Sequence, residues 1–164
     1  MKKKAVILSV IALLIIFVVN FPIYRLIILS GFLPDYYSKE EIQKAMYIGT
    51  PWDRAAAKDV MELANQAFSD CGHCEAENDN KYGELSRFAS SSDVYPETVK
   101  TEYSLKLWSA HLGETEGYLW VYYSQEGITA EGETDYGSYA IASLWRVEKD
   151  VDGNWVVTDI KEHV

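Results

Sequence analysis

The first 34 residues constrain this chain more than any other part of the sequence. Three lysines at residues 2–4 precede an apolar run from Ala5 to Val19 that only Ser9 interrupts. The mostly apolar stretch extends to Tyr24, with Asn20 and Pro22 near its end. A transmembrane helix needs about 20 mostly apolar residues, so residues 5–24 are predicted to cross the lipid bilayer once. By the positive-inside rule, the lysines hold the N-terminus in the cytoplasm. The rest of the chain then lies outside, and the expected location is a cell membrane.

A basic start and an apolar run also suit a cleaved signal peptide. Cleavage needs small residues after the run, and the chain reads Asn20-Phe21-Pro22 there. No cysteine lies nearby to carry a lipid. We therefore expect an uncleaved signal-anchor, with residues 1–34 as the transmembrane and juxtamembrane segment and residues 35–164 as one extracytoplasmic domain.

The domain after Pro34 is strongly acidic. It holds all 25 acidic residues and 11 of the 15 basic ones, a net charge of −14. A surface of that sign repels nucleic acid, so a nucleic-acid partner is not expected. The charges are scattered along the chain, as is typical of a surface whose charge serves solubility.

Helix signals come first in the domain. Ser38 and Glu41 have the spacing of a capping box and predict a short helix after Ser38. Thr50, Pro51 and Asp53 suit the start of a second helix, which is predicted to reach residue 69. Its apolar stripe has helical spacing and consists of Ala56, Val60, Leu63, Ala64, Ala67 and Phe68. A short third helix is predicted over residues 82–89.

Strand signals follow from residue 97, where apolar and polar residues alternate. The alternation slips at Leu107-Trp108, which indicates a bulge. Residues 118–123 are apolar on both faces and predict a central strand, followed by a long loop at residues 125–137. A third strand, a hairpin turn at residues 150–154 and a last strand complete the pattern. Helices first and strands afterwards predict an α+β domain, with the helices packed on a four-stranded antiparallel meander.

This element order resembles that of the nuclear transport factor 2-like (cystatin-like) superfamily. So do the last two strand segments, Leu144-Trp145-Arg146-Val147-Glu148-Lys149 and Asp152-Gly153-Asn154-Trp155-Val156-Val157-Thr158-Asp159-Ile160. The resemblance implies a long helix lying across a strongly curved sheet. The superfamily includes enzymes, ligand-binding modules and assembly domains, so the fold does not select a function. Its enzymes place an Asp or a His inside the curved sheet, and by that resemblance His111 is the candidate here.

The aromatic content is high, with five tryptophans and 12 tyrosines. Most of them should form the core, because aromatic side chains suit a half-buried sheet surface. We predict a ligand pocket between the helix at residues 50–69 and the sheet, walled by Tyr103, Trp120 and Tyr139. His111 is a further pocket candidate. The predicted ligand is a small apolar molecule. If side chains fill that space, the outer surface of the domain is the better candidate, with an envelope protein as its partner.

The sequence Cys71-Gly72-His73-Cys74 resembles the active-site tetrapeptide of protein disulfide isomerases. That chemistry needs a helix N-terminus, which lowers the pKa of the first thiol. Here the motif follows a predicted helix C-terminus and Asp70, and both disfavour a thiolate. A structural disulfide between Cys71 and Cys74 is therefore the main expectation. A redox-active pair, a metal site and free thiols remain open.

Together these patterns predict a membrane-anchored, extracytoplasmic binding or interaction domain, more consistent with a non-enzymatic protein than with an enzyme. No cofactor and no metal are predicted. The alternative function is a thiol–disulfide oxidoreductase that uses Cys71 and Cys74.

Overall fold

The computed structural model describes residues 36–46, 49–70, 81–89 and 95–162. The chain divides into two compact units, Met1–Tyr47 and Ile48–Val164. Across the described ranges, no helix combines the length and the apolar character that crossing a membrane requires. The predicted span at residues 5–24 lies outside them, and the predicted domain boundary after Pro34 stays a prediction.

The described part of the first unit contains one helix, α1 (Lys39–Met46). The Ser38 backbone N–H donates to Glu41 Oε2 at 2.7 Å, and the Glu41 N–H donates to Ser38 Oγ at 3.2 Å. These two bonds satisfy donors that the first helical turn leaves unpaired. The predicted capping box is therefore confirmed.

The second unit has its helices before its strands. The helices are α2 (Pro51–Ala56), α3 (Lys58–Ser69) and a 3-10 helix (Gly83–Phe88), and the strands are β1 (Thr98–Leu112), β2 (Glu116–Thr129), β3 (Thr134–Lys149) and β4 (Trp155–Glu162). Each strand pairs antiparallel with the next in the order β1-β2-β3-β4. The predicted α+β class and the four-stranded meander are confirmed.

One predicted helix is two helices in the structure. Thr50 and Asp53 form the predicted cap: the Asp53 N–H donates to Thr50 Oγ1 at 3.2 Å, and the Thr50 N–H donates to Asp53 Oδ2 at 2.9 Å. The helix then breaks at Ala57, which has φ −77° and ψ −4°. Ala57 is fully buried while Ala56 is exposed. The expectation of one continuous helix with Ala56 inward was therefore wrong. The chain turns at Ala57, and Ala57 is the residue that packs into the core.

The core lies between the helices and one side of the sheet, here called the covered face. Leu119 on β2 pairs with Ala110 on β1 and Trp145 on β3, and Trp145 pairs with Ile160 on β4. Paired residues share a face of a sheet, so all four strands contribute to one apolar layer. The helical residues buried against this layer are Val60, Ala64, Ala67 and Phe68 of α3, and Leu85 and Phe88 of the 3-10 helix.

The bulge predicted at Leu107-Trp108 is confirmed by a register shift between Leu107 and Ser109. Next to it, α2 contacts the backbone of β1, which is an outer strand of the sheet. The Arg54 guanidinium donates to the carbonyls of Leu107 and Trp108, and Asp53 Oδ1 accepts from the Leu112 N–H. These bonds occupy backbone groups that an outer strand would otherwise leave open.

The long loop predicted at residues 125–137 is instead strand and a short turn. The β2 strand continues to Thr129, β3 begins at Thr134, and the Thr129 N–H donates to the Glu133 carbonyl at 2.9 Å. Gly127 is buried in β2, and a Cβ there would overlap the ring of Tyr136. The glycine therefore allows close approach within a strand, a role that sequence does not distinguish from a turn.

A second register shift lies where Tyr123 pairs with Ile141 but Gln125 pairs with Ser138. Ala140 adopts a φ of 59°, which is unusual for a residue with a side chain, and its N–H donates to Ser124 Oγ at 3.0 Å. This bulge at Ala140 changes the phase of β3. Ser138 consequently takes the place on the covered face that strict alternation would give to Tyr139.

Candidate functional site

The centre of the space between α3 and the sheet is filled by aromatic side chains. Phe68 stacks on Phe88 with ring centroids 4.4 Å apart, and Tyr123 meets Phe68 edge-on at 5.0 Å. The Phe88 ring also lies 5.6 Å from that of Trp145. Among the described residues, the centre of this layer is therefore packed, and two cavities that they line lie at its margins.

The structure does not bring the four predicted pocket residues together. Tyr103 is on the covered face and donates to the Asn65 carbonyl at 3.2 Å. Trp120 is fully buried on the other face, where it pairs with Ser109 and Leu144. Tyr139 is 57% exposed because of the bulge at Ala140. Among the described residues, these side chains thus do not line one common cavity.

His111 is also away from the covered face. It is half-buried near the end of β1 and stacks on Tyr118, with ring centroids 4.9 Å apart. The Thr50 hydrogen bonds lower the pKa of Asp53, and the nearby His111 lowers it further. Burial and the negative charge of Asp53 raise the pKa of Tyr118 to about 12. Tyr118 is therefore a neutral hydroxyl at physiological pH, which makes it a hydrogen-bonding group rather than a base.

A groove of about 520 Å³ opens at one margin of the covered face, between α3, the 3-10 helix and the first residues of β4. We call it the β4 groove. Its floor is apolar and includes Leu63, Leu85, Trp155 and Val157. The rim that α3 provides is polar and consists of Asp59, Glu62 and Gln66. This volume is within the range of sites that bind small molecules, which are also mostly apolar with a few polar groups.

A tyrosine network forms the opposite rim of the β4 groove. The buried Tyr82 donates its hydroxyl hydrogen to Asp70 Oδ2 at 2.8 Å, and Lys81 Nζ donates to the Tyr82 oxygen at 2.7 Å. Burial raises the pKa of Tyr82, and the hydrogen bond to Tyr82 raises that of Lys81. The Lys81 ammonium is thus held by its neighbours, whereas the carboxylates of the α3 rim are exposed.

A smaller pocket of about 180 Å³ lies beyond the other end of the 3-10 helix. We call it the sheet pocket. Its lining residues come from the helix end, the segment before β1, and strands β2, β3 and β4: Arg87, Phe88, Ala89, Tyr95, Tyr123, Gln125, Tyr136, Ser138 and Glu162. Arg87 and Glu162 give it a cation and a carboxylate, whereas at the β4 groove the carboxylates Asp59 and Glu62 come from α3 and the Lys81 ammonium is hydrogen-bonded to Tyr82.

Two polar groups of the sheet pocket are fixed by hydrogen bonds. Gln125 is only 6% exposed, and its Nε2 donates to the Phe88 carbonyl at 2.7 Å. The Tyr123 hydroxyl donates to Glu162 Oε2 at 3.2 Å. The Tyr136 hydroxyl is buried and finds no hydrogen-bond partner within the described ranges, and its ring stacks on Tyr95.

The sequence carried weak signals for both cavities. Trp155 follows a hairpin turn and was predicted only to begin the last strand, yet it also forms part of the floor of the β4 groove. Gln125 was assigned to a loop because glycines follow it. A polar residue in phase with Val121 and Tyr123 would have indicated a polar position on the covered face, if the strand had been predicted to continue.

The cysteine motif lies outside the described residues, so the disulfide and the redox pair both stay predictions. Within the described ranges, no group of three or more His, Cys, Asp or Glu side chains is placed to hold a metal ion.

No known protein family matches the sequence, and no curated protein is similar to it. Among solved structures, a conserved protein from Planctomyces limnophilus matches with a TM-score of 0.34 and 14% identity, over 74% of this chain and 94% of that one. So low a structural similarity carries no argument about fold or function.

Proposed function

We propose that this protein is a membrane-anchored, non-enzymatic binding protein whose extracytoplasmic domain takes a small ligand in the β4 groove. The observation that carries the proposal is the apolar floor of this groove, formed by Leu63, Leu85, Trp155 and Val157 at a margin of the filled core. Burying apolar ligand surface there would release water from a concave site, which favours binding. The resemblance to the nuclear transport factor 2-like superfamily is consistent with a ligand-binding scaffold.

The rim of the groove favours a ligand with an apolar body and a positive charge. Asp59 and Glu62 lie almost one helical turn apart on α3, at the groove. Glu62 contacts Lys58 at 3.2 Å, but both side chains are more than half exposed, and such pairs are weak. Among the described residues, the charged group of the opposite rim is Lys81, whose ammonium donates to the Tyr82 hydroxyl. A cationic ligand therefore complements the α3 rim, in keeping with the net charge of −14 on residues 35–164.

The experiment compares three water-soluble probes that share a benzyl body. Benzyltrimethylammonium is positive, benzyl alcohol is neutral and phenylacetate is negative. Each is titrated into the full chain in lipid nanodiscs, and binding is followed by NMR shifts of the Leu63 methyl groups and the Trp155 indole. We expect saturable shifts with the cation, weaker ones with the alcohol and the weakest with the anion.

Two variants separate groove binding from non-specific binding. Leu63→Lys places a positive charge on the apolar floor, which repels a cationic ligand and should abolish the saturable shifts of the Trp155 indole. Val99→Lys makes the same change at an exposed position on β1 and should leave them unchanged. If none of the probes shifts the groove resonances, the β4 groove is not a site for ligands of this class and the proposal is wrong.

The membrane topology has its own test. The chain contains only Cys71 and Cys74 as cysteines, so a membrane-impermeant maleimide applied to intact cells reports on one side of the membrane. Labelling with or without a mild impermeant reductant would support the extracytoplasmic location. If labelling needs cell lysis under both conditions, the domain is cytoplasmic. Labelling only after reduction would also show that the cysteines are oxidised.

A further inference from the structure

We propose that the sheet pocket is a second binding site, separate from the β4 groove, and that it takes a small zwitterion of the size of an amino acid. The proposal does not depend on the function of the groove. It rests on two charged side chains of opposite sign, Arg87 and Glu162, which line one cavity of about 180 Å³. Each of these two side chains can bind one charged group of a ligand.

Arg87 provides the positive wall. One of its N–H groups donates to the Ile160 carbonyl at 3.3 Å, which ties the guanidinium to β4. A guanidinium has five N–H donors in a planar fork and binds carboxylates in two-bond geometry. Its remaining donors can therefore receive a ligand carboxylate while the bond to Ile160 fixes their position.

Glu162 provides the negative wall. Its Oε2 accepts from the Tyr123 hydroxyl, which orients the carboxylate from the floor of the pocket. An ionised carboxylate has about four acceptor positions, so one bond from Tyr123 leaves capacity for a ligand ammonium. With one positive and one negative wall, the pocket suits a ligand whose own charges balance, since a net anion or a net cation would satisfy only one wall and face repulsion from the other.

Two features of the sheet give this pocket polar lining residues. Gln125 is buried in line with the apolar residues Val121 and Tyr123, and its amide is held by the Phe88 carbonyl. The bulge at Ala140 brings Ser138 opposite Gln125 and turns Tyr139 outward. Bulges and positive φ values at residues other than glycine often occur where a sheet forms a binding site. Here the bulge replaces a large aromatic ring with a small hydroxyl inside the pocket.

The test uses three amino acids that differ in the spacing of their charges: glycine, β-alanine and 4-aminobutyrate. Each is compared with its carboxamide, which lacks the negative charge, and with the acid that lacks its amino group. Binding to the full chain in lipid nanodiscs is measured by NMR shifts of the Gln125 side-chain amide and the Ser138 backbone amide. We expect at least one zwitterion to give saturable shifts, and both of its analogues to bind about 10-fold more weakly or worse.

Charge-removing variants then assign the two walls. Arg87→Gln and Glu162→Gln should each weaken binding of the zwitterion by about 10-fold or more. Arg146→Gln is the control, because Arg146 is exposed and contacts Asp159 at 4.0 Å on the other face of the sheet. It should leave binding unchanged. The probe series on the unmodified chain remains decisive if either variant fails to fold.

Two results would overturn the proposal. One is that none of the three zwitterions shifts the Gln125 and Ser138 resonances at millimolar concentration. The other is that a zwitterion binds no more tightly than its carboxamide and its deamino analogue, since the two charged walls would then not recognise it.

Discussion

The β4 groove and the sheet pocket lie on the same face of the same sheet, at opposite ends of the 3-10 helix, yet their chemistry differs. At the groove, Trp155 and Val157 of β4 both face inward, ahead of the register shift between Val157 and Asp159, and the floor is apolar. At the pocket, the bulge at Ala140 places Ser138 opposite the buried Gln125. Both strands are irregular, so the chemistry of each margin depends on which residues the local register turns towards the core.

The largest expected effect comes from truncating a side chain in the aromatic layer of the core. Phe68 is fully buried and stacks on Phe88, a residue of the 3-10 helix that packs against the sheet. Phe68→Ala should lower the free energy of unfolding by about 3–5 kcal/mol, because it leaves a cavity in the aromatic layer. Urea denaturation measures the change. The control is Trp52→Ala, which truncates a side chain that is 82% exposed and should change stability little. A similar small effect at Phe68 would mean that the aromatic layer is not the core described here.

Making the sheet pocket apolar should have the next largest effect. Gln125→Leu keeps the size of the side chain but removes the donor to the Phe88 carbonyl. That carbonyl then loses its partner in a buried site, and the free energy of unfolding should fall by about 1–3 kcal/mol. Gln43→Leu, at an exposed position of α1, is the matched control. If Gln125→Leu proves stabilising, the pocket has no structural need for its polar group.

Removing the side chain of Ala140 should stabilise the protein, because it relieves backbone strain at the bulge. Ala140 has a φ of 59°, a region where a Cβ costs about 1–2 kcal/mol and glycine fits without strain. Ala140→Gly should therefore raise the free energy of unfolding by up to about 1 kcal/mol, once the larger chain entropy of unfolded glycine is counted. Ala55→Gly, in the exposed helix α2, should have the opposite sign. If both substitutions lower the free energy of unfolding equally, residue 140 is not in the left-handed region.

The smallest effect is expected at Tyr136. Its buried hydroxyl has no hydrogen-bond partner among the described residues, so Tyr136→Phe should be neutral or stabilising by less than about 1 kcal/mol. Tyr82→Phe is the matched control, because it removes a hydroxyl bonded to Asp70 and Lys81 and should be destabilising. A clear loss at Tyr136 in denaturation experiments would indicate a partner, such as an ordered water molecule, at this hydroxyl.

Local signals in the sequence predicted local structure well. The capping box at Ser38, the N-cap at Thr50 and the slip at Leu107-Trp108 appear as predicted. The hairpin turn also appears: Asp150 Oδ1 accepts from the N–H groups of Asp152 and Asn154. Each of these features depends on residues within a few positions of one another, which is the range over which such patterns operate.

The features that were missed depend on contacts between distant residues. Gly127 resembles a turn residue until the Tyr136 ring of the neighbouring strand is placed over it. The side of the sheet that Tyr139 occupies depends on the bulge at Ala140, and an alanine gives no local sign of a left-handed backbone. Tyr103, Trp120 and Tyr139 do not share one face in the structure, because strand phase and not aromatic content decides which side of a sheet a residue occupies. Their role as pocket walls stays a prediction.

The contacts that α2 makes with β1 also bear on how copies of this domain could associate. Open-ended growth of a sheet from molecule to molecule requires two outer strands, each ready to accept another chain. Asp53 and Arg54 occupy backbone groups along the second half of β1, and Lys100, Glu102 and Lys106 place charges along the first half. Pairing through β4 would consequently stop at two molecules and would not extend into a fibre.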